Sequence, residues 1–326
     1  GGLPYADLAA RILALFAGET FACEELSRLT EAAYGTFSHA GVAPLVQLDE
    51  RLWLLELFHG QTLAFKDLAL QLVGRLFDAA LAHRGEQVTI IGATSGDTGS
   101  AALAACCDRA ALDIFMLYPQ GRISEVQRRQ MTTVEAANAH ALAIEGTFDD
   151  CQDIVKALFA DLGLRQELNL SAVNSINLAR VAAQIVYYMA AALALGAASG
   201  RAVSFSVPTG NFGNVYAGHL ARAMGLPIER LVIGTNANDI LTRYVATGEM
   251  TIGPVAASLS PSMDIQVASN FERLLFELKG RNGAGPRNMS QFTPAGGAAW
   301  SGLWPIDLRR LKQRPLARST LPMIPS

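Results

Sequence analysis

Between Val88 and Gly234 short, nearly continuous apolar runs alternate with helical stretches, and this alternation limits the fold more than any other feature. "VTIIGA" from Val88 reads as a buried strand, "TSGDTG" as a tight loop and "SAALAACC" as the helix that follows. "DIFMLYP" from Asp113, "SEVQRRQMTTV" from Ser124, "HALAIEG" from His140 and "DDCQDIVKALFADL" from Asp149 continue as strand, helix, strand and helix. "AVSFSVPTGNFGNVYAGHLARAMG" then gives a strand from Ala202, a Gly/Asn loop and a helix to Gly225, and "RLVIGTN" from Arg230 is a further strand. Parallel strands need crossovers, and helices supply them, so the pattern predicts an α/β fold with doubly wound, mostly parallel sheets.

Flanking segments fill out this frame. Apolar spacing predicts a helix from Tyr5 to Ala17 and a second from Glu24 to Phe37. "LWLLELF" from Leu52 has the look of a buried strand running into a turn at His59-Gly60, and a helix follows directly. "NSINLARVAAQIVYYMAAALAL" from Asn174 opens with capping residues and continues with helical periodicity. At 326 residues the chain exceeds one ordinary core, which predicts two domains or one large α/β unit with a subdomain. From Gly280 to Ser326 it is rich in Gly, Pro, Arg and Trp without periodicity, and no place in the fold is predicted for it.

Composition narrows the function classes. With 51% apolar and 17% charged residues the chain has the profile of a folded protein. A net charge of -3 and a pI near 6.0 give no basic footprint for nucleic acid or an anionic membrane surface, so small molecules are the expected partners. "IVYYMAAALALGAA" from Ile185 is too short and too weakly apolar for a membrane span. Cys23, Cys106, Cys107 and Cys151 lack metal-ligand spacing, and the adjacent pair reads as core in an Ala-rich helix, which fits a reducing, cytoplasmic setting. The opening "GGLPYADLAARILALF" has no initiator Met, basic n-region or cleavage-type site, so nothing in it points to export.

Inside "HGQTLAFKDLALQLVGRLF", from His59, stands a single lysine. On a helical wheel Lys66 shares a stripe with Leu70, Val73 and Phe77, while Asp67, Gln71 and Asp78 fall on the polar side. A buried ammonium is costly, so a lysine there has a depressed pKa, a counter-ion or a covalent task such as Schiff-base formation. On position alone, a lysine snorkelling to solvent from the helix start is the commoner case. The loops shift that balance. Thr94 to Gly99 and Thr209 to Asn214 each follow a strand and open a helix, so backbone N–H groups and the helix dipole would cradle an anion. Neither has the spacing of a dinucleotide fingerprint or a P-loop. Two such cradles and one apolar-side lysine point to a phosphate-bearing carbonyl cofactor held by an amine, with pyridoxal phosphate the natural candidate.

Several ordered motifs carry a resemblance that covers roughly residues 1–278. They are "ELFHGQTLAFKDLALQ", "GATSGDTGSAA", "YPQGRISEVQRRQMTT", "VNSINLARVAAQ", "VPTGNFGNVYAG", "NANDIL" and "SPSMDIQVASNFERLLFEL". In these the chain resembles the threonine synthases of the bacterial and fungal type, within the fold-type II pyridoxal-phosphate enzymes, whose fold is that of the tryptophan synthase β subunit. The resemblance implies that Lys66 bonds to the cofactor and that Gly210, Asn211, Phe212, Gly213 and Asn214 hold its phosphate. It likewise assigns Thr94, Ser95, Gly96, Asp97 and Thr98, with Gly99, to a loop that holds substrate carboxylate. Many relatives carry Asn where Asp97 stands, and a carboxylate so near an anion needs a compensating donor or proton. Asn174, Ser175, Asn177 and Arg180 would face substrate and its phosphate, for which Arg has the right fork, although a structural ion pair is an equal reading of Arg180. Lys156, His59 and Ser124 are further candidates.

Residues 1–58 are accordingly expected to form an N-terminal helical region and the start of the large domain. Residues 59–172 would form a smaller α/β domain, 173–280 the large cofactor-binding domain, and 281–326 an unassigned tail that resembles nothing in the family. The implied reaction converts O-phospho-L-homoserine and water to L-threonine and phosphate by γ-elimination and β-addition of water, in a monomer or homodimer. The alternatives are another lyase of the same fold type, such as a threonine or serine dehydratase, and an inactive cofactor-binding relative.

Overall fold

The computed structural model describes residues 2–172, 177–278 and 281. Two helices, α1 (Tyr5–Ala17) and α2 (Cys23–Tyr34), precede a hairpin of β1 (Leu45–Asp49) and β2 (Leu52–Leu55), and α3 (Asp67–Arg84) follows. The winding block comprises β3 (Val88–Ala93), α4 (Asp97–Cys106), β4 (Leu112–Pro119), α5 (Glu125–Thr132), β5 (Ala139–Ile144), α6 (Phe148–Ala160), α7 (Leu162–Glu167) and β6 (Leu170–Ser171). After it come α8 (Leu178–Ala194), β7 (Val203–Pro208), α9 (Gly213–Ala223), β8 (Ile228–Gly234), α10 (Ile240–Thr247) and α11 (Phe271–Leu278).

The first sheet is parallel throughout, in the order β5-β4-β3-β6. Successive side chains of a strand face opposite ways, which sorts its apolar residues into two layers. Ile90, Ile114, Met116 and Tyr118 pack with Leu70, Leu81 and Leu103 on the α3/α4 side, whereas Ile91 and Leu117 pack with Cys151 on the α6 side. Both faces are therefore covered, as the strand and helix alternation predicts. The winding runs from β3 out to β5 and returns to β6 on the other flank of β3. Open α/β sheets take ligands beside such a reversal, at the carboxyl ends of the strands. The loop leaving β3 begins there, at Thr94.

A second parallel pair, β7 and β8, joins through α9 and belongs to a larger core with α1, α2, α8, α10 and α11. Helix α3 serves both cores, giving Leu68, Ala69 and Leu72 to the larger one and Leu70 and Leu81 to the other. Among the described residues no helix is long and apolar enough to cross a membrane.

Two expectations fail locally. The run from Leu52 is half of an antiparallel hairpin, with Leu52 58% and Leu54 45% exposed, so a continuous apolar run here marks an outlying ribbon and not a buried parallel strand. Asp67 and Gln71, placed by the wheel on a polar side, are fully buried because local partners satisfy them.

Candidate active site

The turn that delivers Lys66 is built from its own neighbours. Asp67 accepts hydrogen bonds from the Thr62 backbone N–H and hydroxyl, both at 2.7 Å, and Gln71 donates to Gln61 at 2.9 Å. Burial raises the Asp67 carboxyl pKa, and the Thr62 donors oppose that rise without cancelling it. With residues 61–67 fixed in this way, Lys66 sits in helical conformation at the entrance to α3, its side chain only 12% exposed. Its Nζ lies 3.4 Å from Asp97 Oδ2. Desolvation pulls the amine below the ordinary lysine pKa, Asp97 acts against that, and the charge of Arg180 adds to it. The snorkelling lysine is thereby replaced by a buried one with a counter-ion.

Asp97 opens α4, and the loop before it is self-supporting. The buried Thr94 hydroxyl oxygen accepts from the N–H groups of Gly96 at 3.0 Å and Gly99 at 2.8 Å, so these amides serve the loop itself. Gly96 has φ +139°, a conformation that side-chain-bearing residues rarely adopt. Ser95 is exposed and Thr98 half-buried. The donor that the Asp97 carboxylate requires is present twice over: Lys66 reaches one oxygen and Gln127 Nε2, from α5, the other.

In the second loop Phe212 adopts a left-handed φ of +64° with its ring buried against Phe271, which turns the chain directly into α9 at Gly213. The first amides of a helix have no partner within it. Asn214 Oδ1 is fixed by the hydroxyls of Tyr187 at 2.5 Å and Tyr188 at 2.8 Å. Asn211 O accepts from Asn270 N at 3.1 Å. A Cβ on Gly210 would lie 3.1 Å from Met263 Cα and 3.2 Å from Ser262 O, so only glycine passes the 261–263 turn easily. Asp264 anchors that turn, accepting from Asn236 Nδ2 at 2.7 Å, Asn238 Nδ2 at 3.0 Å and Ser258 N at 2.8 Å.

Helix α8 links the lysine to this loop. Arg180, 5% exposed, lies near its start, and its charge bears on Lys66. Its Nε and Nη1 are buried without a hydrogen-bond partner among the described residues, and burial holds its pKa down to about 10. Gln184 donates to Arg180 O and accepts from the Tyr187 hydroxyl, the same hydroxyl that meets Asn214. A buried, unpaired guanidinium is costly, and an anion would relieve it.

Other expected residues lie elsewhere or have local duties. Asn174 and Ser175 are outside the described residues, as is the tail beyond Arg281. Asn177 caps α8 by accepting from Ala179 N, and Ser124 caps α5 by accepting from Gln127 N. His59 pairs with Glu56 at 2.8 Å. Lys156 pairs with Asp153 on the open face of α6, away from the apolar setting that a catalytic lysine needs. Gln127, Asn270 and the two tyrosines went unnoticed in the sequence. They are remote from the loops they support; Gln127 and Asn270 stand inside the motifs, whereas the tyrosines lie just beyond the one that ends at Gln184.

A buried lysine paired to a carboxylate, a buried guanidinium bearing on it and a glycine-bearing helix entrance tied to the same helix could hold a phosphorylated carbonyl compound through an amine. A family model described as pyridoxal-phosphate dependent enzyme matches residues 36–285, and the chain belongs to that family. It is 58% identical over 284 residues to the threonine synthase of Pseudomonas aeruginosa, covering 86% of this chain and 60% of that one. To the threonine synthase of Saccharomyces cerevisiae it is 48% identical over 291 residues, covering 85% of this chain and 57% of that one. The crystal structure of pyridoxal-phosphate-bound threonine synthase from Brucella melitensis superposes with a TM-score of 0.84 at 56% identity, covering 86% of this chain and 60% of that one. The chain thus spans about three-fifths of the length of these relatives.

Proposed function

We propose that this chain carries threonine synthase chemistry, converting O-phospho-L-homoserine and water to L-threonine and phosphate with pyridoxal phosphate as cofactor. The observation that carries the reading is the buried Arg180 with two unpaired nitrogens beside the Lys66–Asp97 pair. Both it and the narrow Gly210–Asn214 loop fit a phosphate-bearing ligand.

When bound, the cofactor supplies an aldehyde for an amine to bond and a ring that accepts the electron pair left by proton removal. This chain's residues do the rest. Lys66 would hold the cofactor through its amine and, when that amine is free, would take and return protons at the substrate carbons. Its lowered pKa leaves more of the amine unprotonated near neutrality, as both tasks need. The α9 entrance, with Gly213 and Asn214, receives one phosphate. Arg180 takes the phosphate that leaves from the substrate's γ-carbon, and the Ser95–Thr98 loop orients the substrate carboxylate. In the same reading residues 59–172 form the smaller domain around the first sheet. Residues 1–58 and 173–280 form the larger one, and the protein acts in the cytoplasm as a monomer or homodimer.

The test supplies the purified chain with pyridoxal phosphate and O-phospho-L-homoserine and measures threonine and phosphate, with Lys66→Ala as control. Both products from the parent and neither from the variant are expected. A soluble parent that binds the cofactor yet releases neither product overturns the reading.

A further inference from the structure

We propose that Gln127 is a positioning residue that holds the Asp97 carboxylate against Lys66, so that α5 sets the charge state of the reactive amine. Four observations converge on it. Gln127 Nε2 donates to Asp97 Oδ1 while Lys66 occupies Oδ2, which fixes both carboxylate oxygens. The Ser124 hydroxyl donates to Gln127 Oε1 at 3.0 Å, turning the amide nitrogen toward Asp97. The Gln127 amide lies over Gly96, in the space a Cβ would take, so the side chain and the loop are fitted to each other. One turn on, Gln130 Nε2 donates to Thr62 O at 2.9 Å, and Met131 is buried in the core beside them.

One face of α5 therefore grips both the lysine turn and the carboxylate loop. The charged groups bearing on Lys66 are Asp97 from α4 and Arg180 from α8. Asp97 is partly exposed, and without Gln127 its side chain is free to turn toward water. Lys66 would then face Arg180 with no fixed counter-ion, and its amine would lose its proton more readily. The inference depends on Lys66 as the reactive amine of the proposed function, but its test reads the amine and not turnover, so the two fail separately.

The experiment is reductive methylation of the full chain without cofactor across a pH series, following the Lys66 peptide by mass spectrometry with exposed Lys156 as internal reference. Gln127→Leu is expected to raise Lys66 labelling near neutral pH by about threefold to tenfold relative to Lys156, equivalent to a pKa fall of half a unit to one unit. Asp97→Asn should raise it similarly, and adding Gln127→Leu to Asp97→Asn should add nothing, because the glutamine acts through the carboxylate. If the leucine variant does not fold, Gln127→Met keeps the stem and carries the same expectation. A folded variant with unchanged Lys66 labelling, or a glutamine effect that persists in full on the asparagine background, overturns the proposal.

Discussion

Replacing Arg180 with methionine should make the ligand-free chain more stable and weaken its response to phosphate. The guanidinium is 5% exposed with two orphaned nitrogens, and burial holds its pKa down to about 10. At neutral pH it is charged both folded and unfolded, so the depressed folded value measures a cost of burial, roughly 3 kcal/mol. Two unsatisfied donors at about 1–3 kcal/mol each lead to the same range. Methionine keeps an unbranched apolar stem, so a net gain of about 1–3 kcal/mol is expected, or roughly 2–4 °C in Tm per kcal/mol for domains of this size. Thermal unfolding in phosphate-free buffer, followed by circular dichroism, measures it. In saturating inorganic phosphate the order should narrow or reverse: an anion at a hundred times its Kd for the Arg180 position adds about 2.7 kcal/mol to the parent and nothing there to the variant, while any binding at the α9 entrance stabilises both alike. A variant less stable than the parent without phosphate would show that the guanidinium is satisfied, and the argument for an anion at this position would fail.

Other consequences are quicker to state. Leu103→Ala removes a fully buried side chain from the α3/α4 layer and should cost about 2–5 kcal/mol in urea unfolding without altering the Lys66 environment directly. Thr62→Val deprives buried Asp67 of its hydroxyl donor while keeping the shape. It should cost about 1–3 kcal/mol and weaken cofactor capture at Lys66, read by borohydride trapping. Glu277 ties α11 to α9 through Tyr216 at 2.7 Å and His219 at 2.8 Å. Burial acts to raise its pKa, but these partners prevail and hold it below the ordinary glutamate value. Its contribution is therefore present above the unfolded pKa and lost as pH falls through the lower folded one. Glu277→Gln should accordingly show a smaller loss of urea midpoint between about pH 7 and the acid range than the parent.

The pattern of success and failure in the sequence has a physical cause. Strands such as Val88–Ala93 and helices such as Tyr5–Ala17 were legible because burial on one or both faces writes a period into the residues that share it. The same rule misassigned Asp67 and Gln71, since it presumes that water satisfies polar groups. Here Thr62, Gln61 and Arg75 do so from four to ten residues away, leaving both residues in the core. The hairpin at Leu45–Leu55 failed in the opposite sense, with apolar residues standing in solvent where the rule expects burial. Lys66 shows where local reading ends. Its position before α3 gave two readings, snorkelling or buried, and what separates them is a carboxylate 31 residues away and a guanidinium on α8. Asp97 in turn posed a problem, a charge needing a donor, that was visible in its loop, whereas the donor Gln127 stands on the exposed-looking helix "EVQRRQMT". Nothing in that octet marks one glutamine as different from the other. The packing of α5 across the β3–α4 loop makes the distinction, through contacts between segments that a single sequence keeps apart.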